Sequence, residues 1–467
     1  MAEAPRFRHH SPIPLPRRPI AYRRCALATP ALADPPQTET IPASWPLATR
    51  IAFRFCVVYF GLYCLSTQIL TTLLSNPRYD FPDPSSIPPW RPIITFVATR
   101  LFHHKAALVF TGSGSGDKTV DLILMVCLFT VALVVTIAWS LLDRRRTSYP
   151  TLHRWVFLFI RFALAGQMLV YGFAKAVPLQ MSFPNLVALL EPYGNFSPMG
   201  VLWNSVGASP PYEIFVGCLE ILGGLLLLIP RTLTLGALIS LLDMSYVFLL
   251  NMTYDVPVKF LSFHLILLSL FLLAPQFQRF ANFFFLNRTA EPAPSAPLFH
   301  SLGAHRIAFV VGVVYALWLI GNNVYGDRLA WKTYGPGLAK PALYGIWDVE
   351  QFTVDGQARP PLLTDTTRWR RLVFERFEFG ALYSMNDTPS YYEFSTDSKQ
   401  NNLTLTLRRP ANTKISLTYS RPTPDQLLLD GPIDGHPTHI QLRLEDRNKF
   451  LLVSRGFHWI QEYPFNR

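Results

Sequence analysis

Apolar side chains run in seven long stretches through the first two-thirds of the chain, after which their period changes. The stretches lie near Ile51 to Leu74, Val120 to Leu142, Trp155 to Val177, Tyr212 to Ile229, Thr232 to Leu250, Val256 to Leu273 and Ile307 to Val324. Each approaches the roughly 20 residues that a helix needs to cross a bilayer. This predicts a polytopic α-helical membrane protein with about seven transmembrane helices. Beyond Tyr325 the period falls to two. Leu403, Leu405 and Leu407 alternate with Thr404 and Thr406, and Ile415, Leu417 and Tyr419 with Ser416 and Thr418. Ile440, Leu442 and Leu444 alternate in the same way with Gln441 and Arg443. Half-buried antiparallel strands read this way. Eight or nine short strands between Ile346 and Val453, with turn signals at Asp430-Gly431 and Asp434-Gly435, predict a C-terminal all-β antiparallel, barrel-like domain.

The same pattern divides the chain. Residues 1–44 are rich in Pro, Arg and Ala without a period and are expected to be a disordered basic tail; its weak signal-peptide character is interrupted by Pro30. Residues 45–150 hold two transmembrane helices and an external loop, in which Ile93 to Phe110 is expected to lie as an amphipathic helix on the membrane surface. Residues 151–288 form a four-helix transmembrane core, 289–326 a linker and the seventh helix, and 327–467 the external β-domain. The segment from Arg455 to Arg467 is too aromatic for a floppy tail, and packing on the barrel or against the membrane face is expected.

Composition supports the membrane reading: 50% of residues are hydrophobic, 15% are charged and the mean hydropathy is +0.22. The formal charge of +12 sits in the tail and short loops, which is how a bilayer sorts Lys and Arg, so it does not point to nucleic acid. Basic clusters fall at every second connection: the amino tail, Arg144-Arg145-Arg146, Arg231, and Arg279 with Arg288 and Arg306. That places the N-terminus in the cytoplasm and the β-domain outside. Cys56, Cys64, Cys127 and Cys218 all lie in apolar spans, which suggests neither a disulfide framework nor a zinc site.

The spans also carry ionisable groups: Arg161 and Lys175, then Glu220, then Asp243, then Lys259 and His264. One such charge at a helix centre costs roughly 2.5 to 3.5 kcal/mol, against about 0.3 to 0.6 returned by a Leu. Such residues normally face a bundle interior. Arg161, Met168, Tyr171 and Lys175 fall on one helical stripe. Gly217, Glu220 and Gly224 share a face, as do Gly236, Ser240 and Asp243, so small residues let helices approach and Lys175 or Arg161 could meet Glu220 or Asp243. Three readings stand: an ion-pair network that fixes helix register, a substrate, quinone or proton site, or side chains snorkelling to the interface. His264 reads as a core histidine, a proton carrier or an axial haem ligand. Asp255 and Lys259 are spaced for a helix-end ion pair.

Other motifs offer less. Gly112 to Thr119 imitates a phosphate loop, but Asp117 replaces its last glycine; Asp117 is expected to cap the next helix. His436 and His439 lack a third ligand, so no metal site is expected. The β-domain has no nucleophile elbow.

Tyr171-Gly172-Phe173-Ala174-Lys175, then Glu220-Ile221-Leu222-Gly223-Gly224 and Pro230-Arg231-Thr232, resemble the four-helix membrane core of the DoxX family over roughly residues 151–288. The resemblance implies a bacterial inner-membrane protein. Some relatives of this kind are the membrane subunit of a thiosulfate:quinone oxidoreductase or partners of redox enzymes. On that footing the bundle would bind a quinone or small substrate, or move protons, with electrons delivered by a redox partner protein. Whether it is itself catalytic is left open. The alternative is a non-enzymatic binder or scaffold whose external domain captures a lipophilic ligand or a partner protein. Gly345-Ile346-Trp347 resembles the opening motif of lipocalins, which implies that Trp347 closes one barrel end beneath a late arginine, with Arg455 positionally suited.

Overall fold

The computed structural model describes residues 44–74, 81–289, 299, 301–408 and 413–466; the tail before Ser44 and the expectation attached to it lie outside these. Seven helical spans have the length and apolar composition to cross a membrane: α1 (Leu47–Ser66), α2 (Thr119–Leu142), α3 (Pro150–Ala176), α4 (Pro210–Leu228), α5 (Leu233–Thr253), α6 (Lys259–Leu273, continued to Phe285 by shorter helical turns) and α7 (Leu302–Thr333). Pro150 and Pro210 open α3 and α4, where the missing N–H costs nothing and φ is preset. Their outward faces stay apolar, as at Leu142, Leu242, Phe285 and Val311, which suits lipid rather than water.

The first span differs from the expected Ile51 to Leu74. α1 stops at Ser66, Thr67 is extended, and a separate short helix covers Gln68–Leu74. The Thr67 hydroxyl donates to the Tyr63 carbonyl at 2.8 Å, satisfying one of the acceptors that a helix end leaves open. The surface helix expected over Ile93 to Phe110 is also shorter. It runs through Trp90–Phe96 and a π turn at Val97–Leu101, with Ile94 and Ala98 fully buried in the bundle core. Asp117 caps a helix, but not the next one: its carboxylate accepts from the amides of Lys259 and Phe260 at the start of α6, at 2.8 and 3.0 Å. Asp121 takes the capping role on α2, accepting from the Lys118 amide at 2.8 Å.

The C-terminal part is a closed eight-stranded antiparallel barrel with one short appended strand. Its strands are β1 (Gly345–Val354), β2 (Gln357–Ala358), β3 (Trp369–Phe374), β4 (Phe379–Ser384), β5 (Pro389–Asp397), β6 (Asn402–Leu407), β7 (Thr413–Ser420), β8 (Gln426–Ile433) and β9 (His436–Leu444). The order is a meander closed by β1 pairing with β9, and β2 hairpins onto β1. Closure removes the exposed edges an open sheet would present. The alternation works as read: Leu403, Leu405, Leu417, Leu427, Leu429, Ile440 and Leu442 all point inward, each contributing about 1.5 to 3 kcal/mol by burial. Phe374, Tyr392 and Phe394 fill the space between them.

Trp347 sits fully buried at one end of the barrel and donates from Nε1 to the Leu343 carbonyl at 2.8 Å. The arginine over its ring is Arg421, at 5.3 Å, and not Arg455. The β7–β8 connection carries Arg421 back over the barrel end, where it also donates to the Ala342 carbonyl at 2.7 Å. Arg455 instead lies 4.5 Å from the Phe465 ring.

The segment joining α3 to α4 ties the barrel to the bundle. Leu186 and Val187 pack against Ile346, Val373, Ala381 and Tyr383 on the barrel exterior. The Val187 amide donates to the Glu375 carboxylate at 3.1 Å. Burial raises the pKa of Glu375 above the ordinary 4.5, with the backbone amides of Val187 and Leu186 opposing that rise. Arg376 donates to the Pro336 carbonyl and, at 3.2 Å, to that of Leu338, fixing the barrel to the chain that leaves α7. Four side chains of the aromatic segment after Arg455 do not pack on the barrel: Phe457, Trp459, Ile460 and Tyr463 are between 75% and 87% exposed.

Candidate functional site

α3 and α4 approach so closely that neither could carry a side chain at the crossing. A Cβ on Gly217 would lie 2.5 Å from the Ala176 nitrogen and 2.6 Å from the Gly172 oxygen, and one on Gly172 would lie 2.8 Å from the Ile221 nitrogen. Small residues permit this kind of backbone contact in membrane bundles. The consequence is chemical. With the helices this close, Lys175 Nζ reaches both carboxylate oxygens of Glu220, at 2.6 and 2.9 Å. Glu220 is fully buried and Lys175 nearly so. A charge pair of this kind repays its desolvation only when the geometry is good and its remaining hydrogen-bonding capacity is used.

Several polar groups gather round the pair. Tyr171, one turn before Lys175, places its ring 5.7 Å from Nζ. Its hydroxyl accepts from Gln68 Nε2 at 2.8 Å, and the same amide donates to Gln167 Oε1 at 3.3 Å. Asp243 on α5 lies within electrostatic range of both Glu220 and Lys175. Glu213, in the first turn of α4, is fully buried and accepts from the Met181 amide at 2.9 Å. Gln167 Nε2, Glu213 Oε2 and Asp243 Oδ2 are enclosed without a hydrogen-bond partner among the described residues. One ammonium is thus paired with Glu220, while two further buried carboxyl groups, Glu213 and Asp243, lie within electrostatic range of it. Buried polar groups are overwhelmingly paired in folded proteins, so this concentration is the chemically distinctive feature of the bundle.

Of the six residues singled out by sequence, the structure brings together Tyr171, Lys175, Glu220 and Asp243. The other two lie elsewhere. Arg161 donates to the carbonyls of Leu227 and Leu228, the last two residues of α4, and neutralises a helix end whose acceptors are open. It lies fourteen residues from Lys175 on the same helix, about 21 Å along the axis. His264 stacks on Tyr63 with ring centroids 3.8 Å apart, and its two nitrogens meet the Tyr59 hydroxyl at 2.8 Å and the Phe260 carbonyl at 2.6 Å. Both ring nitrogens are therefore occupied, as the core-histidine reading requires.

Sequence reasoning passed over Glu213, Gln167 and Arg54. Glu213 precedes Glu220 by seven residues, two turns on the same face, but it is the second residue of the predicted span and reads as an ordinary acidic residue of a helix start. Arg54 is enclosed at the other end of the bundle. It donates to Ser140 Oγ at 2.9 Å, to the Asp143 carbonyl at 2.8 Å and to the Tyr149 hydroxyl, and Tyr149 in turn donates to Asp143 Oδ2 at 2.8 Å. Every polar group in that knot has a partner, which makes it a latch joining α1, α2 and α3.

Comparison with known proteins gives one informative relative. The chain is 36% identical over 124 residues to the uncharacterized protein YwoB of Bacillus subtilis, an alignment that covers 27% of this chain and 79% of YwoB. No protein-family profile matches. No solved structure matches either.

Proposed function

The chain belongs to the family of the Bacillus subtilis protein YwoB, and from that premise we propose that its bundle binds a quinone or similarly small substrate at the Lys175–Glu220 pair, as a membrane component of redox metabolism. The observation that carries this is a buried ion pair in a bundle where Gln167 Nε2, Glu213 Oε2 and Asp243 Oδ2 are also enclosed without a hydrogen-bond partner among the described residues. A quinone carbonyl is a hydrogen-bond acceptor that the Gln167 amide or Lys175 ammonium could serve. The carboxyls of Glu213, Glu220 and Asp243 would supply or accept the protons that accompany quinone reduction. The DoxX-like motifs around Lys175 and Glu220 support the same reading. Electrons would come from a partner protein. We place the bundle in a bacterial inner membrane, with the basic amino tail in the cytoplasm and the barrel outside. The barrel is the weaker ligand candidate, because Trp347, Phe374, Tyr392 and Phe394 occupy its interior.

The test is binding of a short-chain benzoquinone to the full chain in lipid nanodiscs, alongside analysis of co-purified quinones. Lys175→Met and Glu220→Gln should each weaken binding at least tenfold. Removing one partner of a buried pair also costs about 3 to 5 kcal/mol, so the double variant supplies the comparison. Stability lost in each single variant but recovered in the double one, with binding intact throughout, would make the pair purely structural and defeat the proposal.

A further inference from the structure

The segment from Arg455 to Asn466 is dense in large side chains, and four of them are left largely exposed. Phe457 is 81% exposed, Trp459 87%, Ile460 75% and Tyr463 85%. Within the segment, the Phe457 ring meets Trp459 and the Arg455 guanidinium lies over Phe465. Arg455 also reaches His458 and Gln461, each at 3.0 Å. A local cationic hub therefore holds the aromatic groups in an exposed array. Leaving four such side chains in water forfeits the favourable burial of their apolar surface.

The position of the segment says what covers it. Arg447, eight residues before Arg455, lies 5.2 Å from the ring of Phe183. Phe450 packs with Leu186 and Val187. Phe183 is two residues from Met181, whose amide is bonded to Glu213 in the first turn of α4. The chain thus leaves the barrel at the level where α4 begins, which is the border of the apolar layer. A short helix at Leu451–Ser454 follows, so the aromatic array emerges within a few residues of that border. Trp, Tyr and Phe with a neighbouring Arg suit the headgroup region, where an amphipathic ring can bury its body and keep its polar edge wet.

We propose that residues 455–466 form an interfacial anchor, with Phe457, Trp459, Ile460 and Tyr463 inserted into the headgroup layer of the bilayer that holds the helices, tethering the barrel close to the membrane. The occupant is lipid, not a second protein. The inference is independent of what the bundle binds.

The experiment compares the full chain with its Trp459→Phe variant in nanodiscs, where both membrane faces are accessible; Trp459 is exposed, so the variant keeps its fold. The difference between the two emission spectra isolates Trp459. The anchor requires that component to be blue-shifted and quenched at least threefold more strongly by phospholipids brominated near the top of the acyl chain than by aqueous iodide. A component that emits as in water and is quenched by iodide would overturn the proposal. So would one shielded from both quenchers, which would place a protein surface over the segment. A second measurement needs no tryptophan: Arg455 and the residues after it should show slower amide exchange in nanodiscs than in a short-chain detergent, and equal exchange in the two would count against the anchor.

Discussion

Replacing Gly217 with Ala adds one methyl group where the backbones of α3 and α4 touch. The new Cβ would stand 2.5 Å from the Ala176 nitrogen and 2.9 Å from the Lys175 Cβ, whereas ordinary contact needs roughly 3.4 Å. The obstructing atoms are backbone, so the helices must separate by about 0.9 Å. Added to the 2.6 Å between Lys175 Nζ and Glu220 Oε1, that separation takes the contact to about 3.5 Å, beyond a good charge-assisted hydrogen bond. Overpacking of this kind costs about 1 to 3 kcal/mol, only partly offset by the roughly 1 kcal/mol advantage of Ala over Gly in a helix. Gly321→Ala on α7 is the control, since its Cβ would meet nothing within 4 Å. Thermal unfolding and quinone binding in nanodiscs give the readouts. Gly217→Ala should lower the midpoint and weaken binding, while Gly321→Ala should do neither. Combining Gly217→Ala with Glu220→Gln should cost less than the sum, because the ion pair can be lost only once. The steric argument fails if Gly217→Ala behaves like Gly321→Ala.

Three further outcomes are expected. Trp347→Ala should destabilise the barrel by about 3 to 5 kcal/mol, Arg421→Ala by about 0.5 to 2 kcal/mol, and a double-mutant cycle should couple Trp347 to Arg421 but not to Arg455; coupling to Arg455 instead would contradict the observed barrel end. Burial raises the pKa of Glu375 above 4.5, so the docked state favours its protonated form: its contribution to docking is fully present below the unfolded value and is lost as pH rises through the raised one. Glu375→Gln should accordingly flatten the pH dependence of protease cleavage at the Leu186–Leu190 helix above the ordinary carboxylate range, and an unchanged profile would remove Glu375 as its source. A reporter inserted near Arg145 should behave as cytoplasmic and one placed after Thr333 as external, and reversal at either site would reject the proposed orientation.

The hydrophobic pattern carried the architecture because each of its periods belongs to one element type. Seven runs became seven helices, and the alternation through Leu403, Leu405 and Leu407 became a strand of a closed barrel. Within the site, Lys175 and Glu220 were legible because small residues flank the carboxylate and a buried charge demands a partner. Arg161 was not, because its partners are the backbone carbonyls of Leu227 and Leu228, which no side-chain pattern announces. Glu213 hid at a helix start, where acidic residues are ordinary. Arg421 was missed in favour of Arg455 because closeness over a barrel end depends on how a loop folds back, which strand periodicity leaves open.

Met181 and Val187 are six residues apart, and each is fastened to a different half of the molecule: Met181 to Glu213 in the bundle, Val187 to Glu375 on the barrel. Fully stretched, that interval spans only about 20 Å, which gives it the character of a short hinge strap with little slack. A barrel that swings away from the bundle beyond that reach must release one of the two carboxylates. Glu213 lies two turns before Glu220 on α4, so the strap converts a displacement of the barrel into a change in hydrogen bonding at the start of that helix, without any contact between the barrel interior and the Lys175–Glu220 pair.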